Sequence, residues 1–85
     1  MSRIYKYKVG SGLNQIQVPK GPELLSVKTQ YGSPVAYFSV DDTAKHDVEV
    51  KIHLSLTGAP TPNGKFIDTL MLDNDNFVLH AFLLE

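Results

Sequence analysis

The chain has 85 residues, with eight lysine and arginine residues against nine acidic ones, and it contains neither cysteine nor tryptophan. This length fits one domain, which we take to be residues 1–85. The formal net charge of −1 disfavours polynucleotides and anionic membrane surfaces as partners, because both attract a basic surplus. The absence of cysteine excludes disulfide bonds and thiolate metal ligands.

Two further features of the sequence bear on where the protein is located in the cell. The first six residues lack the apolar segment of a signal peptide, and every apolar stretch is far shorter than the ~20 residues that span a bilayer. We therefore expect a soluble protein that acts in the cytoplasm.

Alternation of apolar and polar residues predicts short strands along almost the whole chain. The clearest case is 48–56, where even positions are valine, isoleucine or leucine and odd positions are polar. The segment 77–83 is apolar on both faces, which is typical of a central strand. In chain order the predicted strands are residues 4–9, 15–18, 24–30, 34–40, 48–56, 66–72 and 77–83.

Two pairs of neighbouring strands flank turn residues and predict hairpins. Residues 31–33 contain Gly32, and residues 73–76 read Asp-Asn-Asp-Asn; both compositions favour tight turns. The fold expected is an all-β domain, either a compact antiparallel sandwich or a partly open barrel of six to seven short strands, with little or no helix. So small a β domain has few ways to cover its edge strands, and we expect a homo-oligomer.

The sequence indicates no metal and no cofactor. His46, His53 and His80 lack the spacing that places two imidazoles on one face beside a carboxylate. No nucleophile motif or phosphate-binding glycine loop is present. An enzyme is therefore not expected; the alternative considered is a hydrolase that uses His53 or His80 with Asp68.

Aromatic residues and one loop suggest binding. Five aromatic side chains could form a stacking platform for a base, although such residues in small β domains also serve as core or interface residues: Tyr5, Tyr7, Tyr31, Tyr37 and Phe38. Five cations are available to neutralise a small anion: Arg3, Lys6, Lys8, Lys51 and Lys65. Residues 57–64 hold two glycines and two prolines, which can form an anion-binding backbone nest or a stiff surface connection.

The chain resembles a family of short phage-encoded proteins without an assigned activity. Its start, IYKY, is similar to the family's IYKYPL, and VPKGPELLSV resembles the segment that continues with a Pro-x-Gly-Ala pattern. PVAYFSVD, LSLTGAP, KFIDT and VLHAF resemble, in the same order, PCLWALVDP, IFGTGHP, KYIGT and LVFHVFE. The family's histidine after Thr-Gly is Ala59 here, so no role of that imidazole transfers.

The resemblance implies a phage protein acting in an infected bacterial host. By analogy with other compact phage proteins, we expect an anti-defence protein that sequesters a small nucleotide-derived immune signal, such as a cyclic dinucleotide or cyclic ADP-ribose, in a pocket of an oligomer. The alternative is a phage interaction protein that blocks a host protein or serves in the virion. The residues expected to bind the ligand are Arg3 for charge, Tyr5 and Phe38 for stacking, Thr57 and Gly58 for phosphate, and His80 for the base or ribose.

Overall fold

The structure, a computed structural model, describes residues 1–84. Regular structure within this range consists of strands, and each segment predicted from alternation forms one. The seven strands are β1 (Ser2–Lys8), β2 (Gly12–Pro19), β3 (Glu23–Gln30), β4 (Ser33–Asp41), β5 (Asp47–Leu56), β6 (Gly64–Leu72) and β7 (Phe77–Leu84).

The strands form two antiparallel sheets, one of three strands in the order β1-β4-β3 and one of four in the order β2-β5-β7-β6. The expected all-β antiparallel domain is confirmed, and of the two architectures considered it is the sandwich. β7 lies between β5 and β6, as its two apolar faces predicted. β2 is longer than predicted because its pairing with β5 extends back to Gly12, opposite Leu54.

Both predicted hairpins are present. In the β3–β4 turn, Tyr31 and Gly32 have φ values of 51° and 78°, the two left-handed residues of a type I′ turn. In the β6–β7 turn, Asp73, Asn74 and Asp75 all have positive φ. Short polar side chains tolerate that conformation better than others, so the composition of residues 73–76 favours the β6–β7 turn locally, as Gly32 favours the β3–β4 turn.

The core lies between the sheets and follows the period of two. Phe38, Ile52 and Leu54 are the largest of its fully buried side chains. The remaining members of the buried cluster are smaller or less completely covered: Val9, Val18, Val27, Ala36, Val40, Leu70, Leu79 and Ala81. Since alternate residues of each strand point to opposite faces, their neighbours in sequence form the outer faces.

One side of the sandwich is closed by side chains that join the edge strands β3 and β6. The Asp68 carboxylate accepts hydrogen bonds from the Val27 backbone N–H (2.9 Å) and from Lys28 Nζ (3.2 Å). The Thr29 hydroxyl donates to the Met71 carbonyl (3.2 Å). Both strands carry a bulge near this junction, which frees backbone groups for side-chain partners.

Within residues 1–84, no helix has the length and apolar character that crossing a membrane requires.

Candidate functional site

The six residues expected to form one site lie on both sheets. Arg3 and Tyr5 belong to β1 and Phe38 to β4, in the three-stranded sheet. Thr57 and Gly58 follow β5, and His80 lies in β7, in the four-stranded sheet. A side-chain hydrogen bond joins Thr57 to His80, and Tyr5 and Phe38 are neighbours across the β1–β4 ladder.

Phe38 is a core residue. Its side chain is 1% exposed and packs edge-to-face against Tyr7, with ring centroids 5.6 Å apart. Its expected role in stacking on a ligand is not compatible with this position, because both faces of the ring are covered. Its neighbour across the ladder, Tyr5, is 38% exposed and remains accessible.

Arg3 binds a carboxylate of the chain itself. Its Nε donates to Asp42 Oδ2, and this hydrogen bond raises the pKa of Arg3 and lowers that of Asp42. Asp42 also lies 3.3 Å from the amino group of Met1. The charge of Arg3 is therefore already compensated, and its position supports the attachment of β1 to the segment after β4.

Thr57, His80 and Thr69 form a hydrogen-bonded row on the outer face of the four-stranded sheet. His80 Nε2 lies 2.8 Å from Thr57 Oγ1, and His80 Nδ1 lies 3.0 Å from Thr69 Oγ1. A neutral imidazole donates through one nitrogen and accepts through the other, and the two hydroxyls can satisfy both. The row therefore holds the ring in place and leaves neither nitrogen free.

The loop that follows Thr57 forms a small cavity above this row. Gly58 has a φ of 92°, which permits the tight turn in which the Ala59 N–H donates to the Leu56 carbonyl (3.1 Å). The cavity measures about 180 Å³ and is lined by residues 55–62 with His80 and Phe82, none of which is Lys or Arg. It is smaller than typical ligand pockets of ~300 Å³ or more, and it offers a phosphate no cation.

The groups considered for hydrolysis are not assembled. Asp68 is bound to β3, as described above. His53 Nδ1 lies 3.0 Å from the hydroxyl of Ser55, which is 6% exposed. Within residues 1–84 no hydrogen bond joins Asp68 to His53 or to His80. No group of three or more potential metal ligands occurs in that range.

A basic and aromatic site lies at one end of the outer face of the three-stranded sheet. Tyr7 points to the core, so its neighbours Lys6 and Lys8 point outward, opposite Tyr37 and Val35 of β4. Together with the β3–β4 turn they surround a cavity of about 380 Å³, and we call this the Lys6–Tyr31 site. Its lining residues are Lys6, Lys8, Gln30, Tyr31, Ser33 and Val35.

The polar groups of the Lys6–Tyr31 site are available to a ligand. Lys6 Nζ donates to Gln30 Oε1 (3.0 Å), while neither Lys6 nor Lys8 forms an ion pair within the described part of the chain. The side chain of Tyr31 is 97% exposed. Sequence reasoning placed these residues among the available cations and aromatics but did not assemble them, since that requires the pairing of β1 with β4.

A second, apolar cavity of about 550 Å³ opens where the two sheets part, on the other side of Gly32. Its apolar walls come from residues on the inner face of the four-stranded sheet: Leu56, Leu72, Phe77 and Leu79. Leu56 and Phe77 are 50% and 54% exposed. This cavity was not expected from the sequence, because alternation assigns residues to a face without showing where that face ends.

Comparison with known proteins gives a family and no activity. No curated protein and no solved structure matches the chain. One family model matches it over residues 1–85. The chain therefore belongs to the family described as a domain of unknown function (DUF7352).

Proposed function

We propose that this protein is a non-enzymatic binding protein for a small nucleotide-derived anion, and that the Lys6–Tyr31 site binds it. The observation that carries this proposal is the presence of two uncompensated ammonium groups beside an aromatic ring that is 97% exposed. Lysine binds phosphate as a point charge, and an exposed aromatic ring stacks on a base. A cavity of about 380 Å³ falls within the range of small-molecule sites.

The residues proposed to bind the ligand differ from those expected from the sequence. Lys6 and Lys8 replace Arg3 as the source of charge, and Tyr31 replaces Phe38 as the stacking group. Two cations match a ligand with one or two phosphates, and the net charge of −1 still disfavours a polynucleotide.

The setting we propose rests on the resemblance to short phage-encoded proteins. In an infected bacterial cytoplasm, a homo-oligomer of this chain would sequester a cyclic dinucleotide or a cyclic ADP-ribose and so act against host defence. Because the protein binds without cleaving, the ligand is recovered intact after the protein is denatured.

The test is calorimetric titration with cyclic dinucleotides and ADP-ribose derivatives. We expect binding to at least one of them, and at least about tenfold weaker binding to the Lys6→Ala/Lys8→Ala variant, since each charge-assisted contact contributes about 1.5 kcal/mol or more. Lys45→Ala, in the loop after β4, is the matched control and leaves the affinity unchanged. If the folded protein gives no heat of binding with any of these ligands, the proposal is wrong.

A second candidate is an interaction protein without a small ligand, and one observation favours it. On the outer face of the four-stranded sheet, Leu13, Phe66 and Met71 are each more than half exposed, and Phe66 packs against Phe82 with centroids 5.7 Å apart. Phe66 and Phe82 thus form an apolar contact at the surface, and exposed apolar patches often mark a protein partner. Flat heats in the titration would leave this candidate as the better one.

A further inference from the structure

The two sides of the sandwich differ in how their strand edges are treated. On one side, side chains bridge β3 and β6. The other edge strands, β1 and β2, each pair with a single neighbour in the described structure, β4 and β5 respectively. Each therefore presents one row of backbone N–H and C=O groups that can accept another strand.

The two edge strands differ in the charge they carry. β1 carries three cations and no acidic residue: Arg3, Lys6 and Lys8. β2 carries no charged residue in its eight positions, Gly12–Pro19. Charged side chains, lysine above all, are a common means by which proteins prevent edge-to-edge pairing. β1 is therefore protected from association with itself, while β2 has only a proline, at its last position.

The outward side chains of β2 are suited to a copy of themselves. They are Leu13, Gln15 and Gln17, all exposed, with Leu13 at 54%. A glutamine amide both donates and accepts hydrogen bonds, so glutamines facing each other across a two-fold axis can pair, which two lysines or two glutamates cannot do. Leu13 can be covered by the aliphatic part of a glutamine on the opposite strand.

We infer that β2 pairs antiparallel with β2 of a second copy of this chain. A two-fold axis near Gln15 places Leu13 opposite Gln17 of the partner subunit, twice, and keeps inward residues beside inward residues, as continuous pleating requires. The two four-stranded sheets then join into one sheet of eight strands. This inference rests on the proposed homo-oligomer and names the strand that forms it.

The experiment is sedimentation equilibrium of the ligand-free protein over a wide concentration range. We expect a monomer–dimer equilibrium. In the Gln15→Lys/Gln17→Lys variant the two copies of residue 15 face each other as like charges and residue 17 sets a charge opposite Leu13 of the partner subunit, which raises the dissociation constant at least about tenfold. Ile4→Lys, which also adds a lysine at an exposed position of an edge strand, is the matched control and leaves the dissociation constant unchanged.

Hydrogen exchange of the wild-type protein gives a second readout that needs no variant. Amides of Gly12–Pro19 should gain protection as the protein concentration rises, while those of Ser2–Lys8 should not. A monomer at all concentrations overturns the inference, and so does a dimer that responds to Ile4→Lys or protects β1 instead. Because no ligand is present, this result is independent of the calorimetric test of the Lys6–Tyr31 site.

Discussion

Tyr31 combines full exposure with a backbone conformation that bulky residues rarely adopt. Its φ of 51° is left-handed, and for an L-residue other than glycine, asparagine or aspartate this costs roughly 1–2 kcal/mol. Packing of the ring does not offset this cost, because the ring is 97% exposed. Strain of this kind concentrates at functional sites, which agrees with the stacking role proposed for the ring.

Replacing Tyr31 should therefore separate stability from binding. We expect Tyr31→Asn to raise the free energy of unfolding by about 1 kcal/mol, because asparagine tolerates the left-handed region. The same variant should bind the nucleotide-derived ligand more weakly, because the stacking surface is lost. Urea unfolding measures the first effect and calorimetric titration the second; a destabilised variant with unchanged affinity would contradict both arguments.

The burial of Phe38 could be predicted from the sequence. In residues 34–40, the even positions are Pro34, Ala36, Phe38 and Val40, an unbroken apolar row, while the odd positions include Tyr37 and Ser39. Period-two alternation assigns Phe38 to the core on that evidence. Tyr31 differs because it falls in a turn, and turns lie at the surface. The two aromatic residues could thus have been distinguished by position within their elements.

Asp68 accepts two of the three side-chain hydrogen bonds that join β3 to β6 in the described part of the chain. Its carboxylate satisfies the Val27 N–H, whose residue is fully buried, and it also meets the exposed Lys28 ammonium. These two partners differ in what their loss costs. A buried donor without a partner costs about 1–3 kcal/mol, whereas an exposed ion pair contributes about 0–1 kcal/mol.

Two single substitutions test this difference. Asp68→Ala should lower the free energy of unfolding by about 1–3 kcal/mol, because it leaves the Val27 N–H unpaired. Lys28→Ala removes only the ion pair and should cost less than about 1 kcal/mol. Chemical denaturation of both variants gives the comparison. Equal losses would mean that the ion pair, and not the backbone hydrogen bond, joins β3 to β6.

Strands and hairpins were predictable where the information is local. The turn residues 31–33 and 73–76 bring together strands that are adjacent in sequence, and both hairpins are confirmed. The pairings of β1 with β4, β2 with β5 and β5 with β7 join segments that no short turn connects. Alternation fixes which face a residue occupies but does not identify the strand beside it. For the same reason Lys6, Lys8 and Tyr31 could be recognised singly but not as one site.

Considered as a whole, the molecule has almost no net charge but an uneven distribution of it. Three of its eight basic residues lie on β1, while Asp41 and Asp42 lie where β4 ends. Arg3 joins these regions through Asp42, and the Asp42 N–H donates to the Met1 carbonyl (3.1 Å). The edge strand that carries the cations of the proposed site is thus attached to the sandwich partly through carboxylates.

This attachment makes the stability of the molecule depend on pH at the acid end. Hydrogen bonds from the Thr43 hydroxyl and N–H lower the pKa of Asp41, and the hydrogen bond from Arg3 lowers that of Asp42. A carboxyl group whose pKa is lower in the folded state favours folding when ionised. The contribution is therefore complete above the ordinary aspartate pKa of about 4 and is lost as the pH falls through the folded values.

Comparison of the wild type with Asp42→Asn, from about pH 6 to pH 2, measures this contribution. The wild type should be more stable near neutrality, and the difference in urea midpoint should shrink as the pH falls below about 4. Arg3→Gln removes the other partner of the same ion pair and should show the same convergence. A difference that stays constant down to the lowest pH would contradict a role for the ionised carboxylate of Asp42, because a protonated carboxyl group and an amide are both uncharged. β1 also carries Lys6 and Lys8. Loss of its attachment should therefore lower the affinity for the proposed ligand over the same pH range in which the stability falls.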